Sequence, residues 1–152
     1  MIEKVEIDYT PLDYLSEIPQ AALEELTATI KNVLKNIKQR SASLAPTDDG
    51  YLKKSINYKI KTDKKKQTVF GISGVENKKF VDKNGNIINP ATYAHFTEYG
   101  TVNIQAEPFM RPVVNTEVGE DNNKLQNEIA QNLLQLTTMY CEENNKITKK
   151  IK

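Results

Sequence analysis

Residues 91–114, ATYAHFTEYGTVNIQAEPFMRPVV, constrain this chain more than any other stretch. They hold Tyr93, Phe96, Tyr99 and Phe109, the only histidine (His95) and a pair of prolines around Phe109. Asn89-Pro90 reads as a turn leading into a helix, because proline fixes its own φ and suits a first helical turn. Tyr93, Phe96 and Tyr99 recur every three residues, which predicts rings sharing one face of a short helix. Gly100 stands where a helix end wants a residue in the left-handed region. Residues 101–106 carry no helical start or stop signal and are expected to run extended. Pro108 and Pro112 then bracket Phe109-Met110-Arg111 in a stiff segment that opens a second helix. The stretch offers no nucleophile with a base, no phosphate-binding glycine loop and no set of metal ligands. It reads as a device for holding a shape and presenting a surface.

Two ordered motifs in the chain carry a family resemblance. YAHFTEYGT followed by AEPFMRPVV resembles the morphogenesis proteins of tailed bacteriophages that complete the tail end at the head–tail junction. Their pattern is Tyr-Ala-x-Phe-x-Glu-x-Gly-Thr and then Pro-Phe-hydrophobic-Arg-Pro opening a C-terminal helix. The matching residues are Tyr93, Ala94, Phe96, Glu98, Gly100 and Thr101, then Pro108, Phe109, Met110, Arg111 and Pro112. Upstream, LAPTDDGYLKKSI resembles the family's Ala-Pro-x-Asp-Thr-Gly-x-Leu-x-x-Ser-Ile, with Asp49 where threonine is common, followed by Gly50 and Leu52. The resemblance runs from about Ala21 to the end of the last helix. It implies long helices packed on a sheet, and copies arranged in an oligomeric ring in the neck of a phage or prophage particle. The implied partners are copies of the chain itself, a tail terminator or tail tube protein, and a head connector or stopper protein. The implied location is the virion's head–tail junction, after assembly in the bacterial cytoplasm. No enzyme activity and no cofactor are implied.

The chain of 152 residues suits one domain with one real core. Charged residues are 27% and apolar ones 38%, a water-compatible balance, and no apolar run approaches the roughly 20 residues that cross a bilayer. The opening MIEKVEIDYT is acidic where a signal peptide would be basic, so export is not expected. A lone cysteine, Cys141, fits a reducing compartment.

Helical spacing of Leu23, Leu26, Ile30, Val33, Leu34 and Ile37 predicts a long amphipathic helix over residues 19–41. Ser16 and Glu17 are placed to cap its start, and Lys35, Lys38 and Arg40 to complement its end. A short strand is expected before it, from the alternation of Val5, Ile7 and Tyr9, either as a sheet edge or as an arm spanning residues 1–18. Ile56, Tyr58 and Ile60 alternate with Asn57, Lys59 and Lys61, which predicts a hairpin over residues 55–74 with a lysine-rich tip. A second small hairpin is expected around Asp82-Lys83-Asn84-Gly85, with Phe80-Val81 and Ile87-Ile88 as arms. Val114, Val118, Leu125, Ile129, Leu133, Leu136 and Tyr140 keep helical spacing over residues 112–142, with a bend or break at Gly119 and Asn122-Asn123. Residues 144–152 are polar and basic and are expected to fray. The sum is a single α+β domain, a small and mostly antiparallel sheet packed with two long amphipathic helices and one short central helix.

Catalysis finds little footing. Asp48 and Asp49 are read as a capping turn rather than an acid/base pair, with Gly50 permitting a close backbone approach. His95 and Glu98 are three apart on one helix, yet a metal needs further ligands and the chain has no second histidine. His95 reads instead as a hydrogen-bonding residue near an interface or a helix–sheet junction. Cys141 has no activating base in view. Phe109 either plugs the core of its own chain or anchors a neighbouring copy, and Glu98 and Arg111 are candidates for a salt bridge within or between copies.

Charge is distributed unevenly. Residues 1–50 hold five basic and nine acidic side chains, residues 51–90 ten and three, and residues 91–152 six and eight. The basic middle keeps open a second reading, a small nucleic-acid-binding protein using the lysine-rich hairpin at 53–66. That reading is not favoured, because the segment lacks arginine and has little aromatic interleaving for base stacking.

Overall fold

A computed structural model describes residues 2–5, 20–48, 50–66 and 68–150, with side chains placed for 20–48, 50–66, 68–119 and 121–139. The elements run β1 (Ile2–Val5), α1 (Gln20–Leu44), α2 (Tyr51–Ser55), β2 (Ile56–Asp63), β3 (Thr68–Val75), β4 (Phe80–Val81), β5 (Ile87–Ile88), α3 (Pro90–Tyr99), α4 (Arg111–Val118) and α5 (Asn123–Lys150). The class is α+β, as expected. The main sheet is antiparallel in the order β1-β3-β2, and β4 and β5 form a separate ribbon.

Helix α1 is the spine. Its stripe of Leu23, Leu26, Ile30, Val33, Leu34 and Ile37 is buried throughout, as the 3.6-residue spacing requires. It runs three residues past the predicted end, and Ala45 N–H still bonds to Ser41 O at 2.9 Å before Pro46 stops it. The basic residues therefore lie short of the last turn, which has none. Ser16, Glu17, Ile7 and Tyr9 lie outside the described residues.

The sheet packs one face on α1. Register pairs Ile56 with Val75, Tyr58 with Ser73 and Ile60 with Gly71, so these residues share a side. A side chain at Gly71 would start 2.6 Å from Leu34 Cδ1, which measures how closely the helix rests on the central strand. Lys59 and Lys61 alternate with Tyr58 and Ile60 and so stand exposed on the opposite face. The hairpin turn is held by Asp63 Oδ1, which accepts from the N–H groups of Lys65 and Lys66.

The C-terminal helix is interrupted where the glycine and asparagines predicted. Gly119 (φ 84°, ψ 167°) ends α4, and Asp121 and Asn122 take positive φ in the turn that starts α5. The interruption lets Val113 and Val118 of α4 and Leu125 and Ile129 of α5 enter the same core from two directions. Asn132 Nδ2 donates to Thr29 Oγ1 at 3.0 Å, which tethers α5 to α1. Helix α5 continues to Lys150, past the end expected from its apolar spacing, with no glycine or proline on the way to stop it. Tyr140 and Cys141 lie beyond the described side chains.

Ile37 is fully enclosed at the centre of this core. Ile37→Ala is expected to cost about 2–5 kcal/mol, read as a lowered urea midpoint with an unchanged m-value.

Candidate functional site

The centre of the motif-bearing stretch is a buried anion. Helix α3 starts conventionally, with Asn89 Oδ1 accepting the Ala91 N–H at 3.2 Å and Pro90 in the first turn. Its inward face is not the aromatic one. Pro90, Ala94 and Glu98, at four-residue intervals, are buried, whereas Tyr93 is half-buried and Phe96 and Tyr99 are 44% and 52% exposed. Three-residue spacing drifts around a 3.6-residue helix, so the rings do not stay on one face.

Glu98 is 0% exposed. Its Oε2 accepts the main-chain N–H groups of Phe109 and Met110 at 2.9 and 3.0 Å. Its Oε1 accepts the N–H of Arg111 at 2.8 Å and Arg111 Nε at 3.2 Å. Arg111 also donates through Nη2 to the Glu98 carbonyl at 3.0 Å and stacks its guanidinium 4.4 Å from the centre of the Tyr99 ring. The first N–H groups of a helix have no partner within it, and the positive end of the helix dipole favours an anion. A carboxylate from α3 thus caps α4. Burial on its own would raise the Glu98 pKa. The amides of Met110, Arg111 and Phe109, with the Arg111 side chain, outweigh burial and hold it below the ordinary carboxylate value.

The chain between carboxylate and amides turns sharply. Gly100 takes φ 73° and ψ −179°, and its N–H bonds to Phe96 O at 2.8 Å. Its φ is positive as predicted, but its ψ lies far from the left-handed helical region, in territory open essentially to glycine alone. A Cβ there would sit 2.7 Å from Ile104 O and 2.8 Å from Ala106 N. Residues 101–106 are not extended. Thr101 N–H bonds to Ile104 O at 2.8 Å, and Thr101 Oγ1 accepts the N–H groups of Asn103 and Ile104 at 3.3 and 3.1 Å. Glu107 N–H returns to Thr97 O at 2.8 Å. The loop is therefore fastened at both ends to α3, and Val102 and Ile104 project from it into solvent.

The motif residues thus divide into two groups. Glu98, Gly100, Thr101, Phe109 and Arg111 meet in one latch. Phe109 is 0% exposed and fills the core of its own chain, and the Arg111 salt bridge is intramolecular. Pro108 is exposed, and Pro112 sits in the first turn of α4. His95 is exposed, has its ring 3.8 Å from that of Phe96 and lies off the Glu98 face. Its imidazole makes no hydrogen bond among the described residues. In the upstream motif, Leu52 is buried. Gly50 caps α2 with φ 69°, and a Cβ at this position would meet nothing within 4 Å. Backbone conformation rather than close approach therefore explains this glycine. The Asp48 side chain does not cap α2, because the capping position is Gly50 itself. Asp49 lies outside the described residues. No group of three or more His, Cys, Asp or Glu side chains among the described residues is arranged to hold a metal.

Sequence reasoning missed a second buried carboxylate. Glu117 of α4 pairs with Arg40 and accepts from Asn36 Nδ2 at 3.4 Å, joining α4 to α1 across the core's edge. A glutamate one residue before the apolar Val118 carried no signal of that role.

A family model described as "Bacteriophage HK97-gp10, putative tail-component" matches residues 12–100, more than half of the chain. No curated protein and no solved structure matches.

Two outcomes follow from the latch. Gly100→Ala is expected to destabilise the fold by about 1–3 kcal/mol from backbone conformation alone, with the Ile104 and Ala106 contacts adding to it; thermal unfolding by circular dichroism measures this. The folded-state pKa of Glu98 lies below its unfolded value. Its contribution is therefore fully present above about pH 4.3 and is lost as pH falls through the folded value. Glu98→Gln is expected to cost about 2–3 kcal/mol near neutrality, and the gap to wild type should close on acidification below about pH 4. A gap that stays constant with pH would contradict the assignment.

Proposed function

We propose that this chain, which belongs to the HK97 gp10-like family of bacteriophage tail components, assembles as a ring at the head–tail junction and completes the tail for attachment to the head. As a tail component it belongs to the virion, and its role is structural. No helix among the described residues is long and apolar enough to cross a membrane. The observation that carries the proposal is the loop held out by the Glu98 latch. Val102 and Ile104 stand in water on a segment whose ends are hydrogen-bonded to α3. Apolar side chains on a stiff projecting loop suit docking, because little ordering entropy remains to be lost on contact. The contacts would be with copies of the chain, with a tail terminator or tail tube protein, and with a head connector or stopper protein. Phe109 and Arg111 act behind this surface, by fixing the loop's return strand.

The test separates surface from scaffold. Val102→Asp with Ile104→Asp is expected to leave the fold within about 0.5 kcal/mol of wild type and to abolish assembly. In a phage lacking the gene, DNA-filled heads and separate tails should accumulate, and wild type but not the double variant should restore joined particles. Normal joining in the complete deletion would overturn the assembly role; normal joining with the double variant would overturn the loop's part in it.

A further inference from the structure

We propose a second interaction surface, a basic groove that binds the phosphate backbone of duplex DNA without reading sequence. A groove of about 550 Å³ lies at the end of the main sheet, lined by Asn57, Lys59, Ile72, Glu76, Asn77 and Lys78 among others, with Ala91 of α3 at its border. Two lysines line it, Lys59 and Lys78, and Lys38 reaches in from α1 to donate to Asn57 Oδ1 at 3.0 Å. Lys61 stands exposed further along β2, and Lys64, Lys65 and Lys66 lie at the hairpin tip, the far end of the strand from the groove.

Tertiary structure adds what the linear sequence hides. Tyr51 of α2 and Phe80 of β4, far apart in sequence, stack with ring centres 5.1 Å apart. Lys54 lies 5.9 Å from the Tyr51 ring and Lys78 lies 5.4 Å from the Phe80 ring. The rings thus hold two lysine stems in place and join the α2 lysines to the groove. Their faces are occupied by each other and by lysines, so they offer no platform for bases. That favours phosphates on a duplex over bases of a single strand.

The neighbouring acids offset only part of this field, although hydrogen bonds leave each carboxylate charged. Asp63 is engaged by the turn amides of Lys65 and Lys66. Asp82 accepts the N–H groups of Asn84 and Asn86 and the Asn86 side chain. Glu76 stands 3.7 Å from Lys59, in a pair whose lysine is 80% exposed. Ten lysines against three carboxylates in residues 51–90 leave a surplus of seven positive charges. The segment holds lysine and no arginine, so its contacts to phosphates would be those of point charges rather than bidentate forks, which suits a backbone contact that does not read sequence.

The experiment measures binding of a fluorescein-labelled duplex of random sequence to the full chain by anisotropy. If about four lysines displace counterions, log Kd should change with log salt at a slope of about 3.6, which weakens binding about a hundredfold between 50 and 200 mM NaCl. Lys59→Glu with Lys78→Glu should weaken binding at least tenfold. Lys31→Glu with Lys35→Glu, an equal charge change on the exposed face of α1, should leave it within twofold. Circular dichroism establishes that both variants fold. No binding at 50 mM NaCl, equal losses in the two variants, or equal competition by polyglutamate would each overturn the proposal. So would a groove variant that alters the chain's mass in solution and leaves DNA binding intact, since the face would then serve contacts between copies.

Discussion

One carboxylate organises the motif-bearing half of this protein. A buried glutamate on its own would be costly, and so would three main-chain N–H groups at a helix start with no acceptor. Brought together, each removes the other's penalty. Glu98 lies at the end of α3, the donors lie at the start of α4, and the intervening loop exists to let them meet. Arg111 completes the charge balance from a half-exposed position, where its guanidinium keeps part of its hydration. Gly100 is required because only a residue without Cβ can take that turn against the Ile104 and Ala106 backbone.

The latch also determines where Phe109 and Met110 go. With their N–H groups bonded to Glu98, both side chains are delivered into the core beside Ala94, and Val113 follows one turn later. Helix α1 supplies the opposing wall. Glu117 repeats the device on a smaller scale, taking an acid from α4 to Arg40 and Asn36 of α1. Charged groups in this protein therefore position helices, while the apolar stripe of α1 supplies the burial.

Helix α1 packs on one side of the three-stranded sheet, and Lys59 and Lys61 stand exposed on the other. Two surfaces of different character result. The loop after α3 is apolar and stiff, and the groove on the sheet is basic and wide. They border opposite ends of the same helix, since Ala91 lines the groove and Gly100 begins the loop, roughly 13 Å apart at 1.5 Å per residue. Contacts at the first depend on shape and apolar area. Those at the second depend on ionic strength.

The elements were legible because each depends on local pattern. The α1 stripe, the alternation of Ile56, Tyr58 and Ile60, the Asn84-Gly85 turn and the break at Gly119 all follow from spacing or backbone preference within a few residues. Most pairing across distance was not legible. Glu98 was legible as a salt-bridge candidate for Arg111, but its burial was not, because that depends on amides eleven to thirteen residues away. Tyr51 and Phe80 gave no hint of stacking across a hairpin, and residues 101–106 looked extended because their turn is closed by Thr101 and by the return of Glu107 to Thr97. The sequence alone determined the α+β class, the order of helices and strands, and the need for glycine at position 100. Only the tertiary structure decided which carboxylate was buried, whether Phe109 faced inward and which apolar side chains were left in water. Hydrogen bonds between groups remote in sequence have no period to read, and they form only once the chain has brought those groups together.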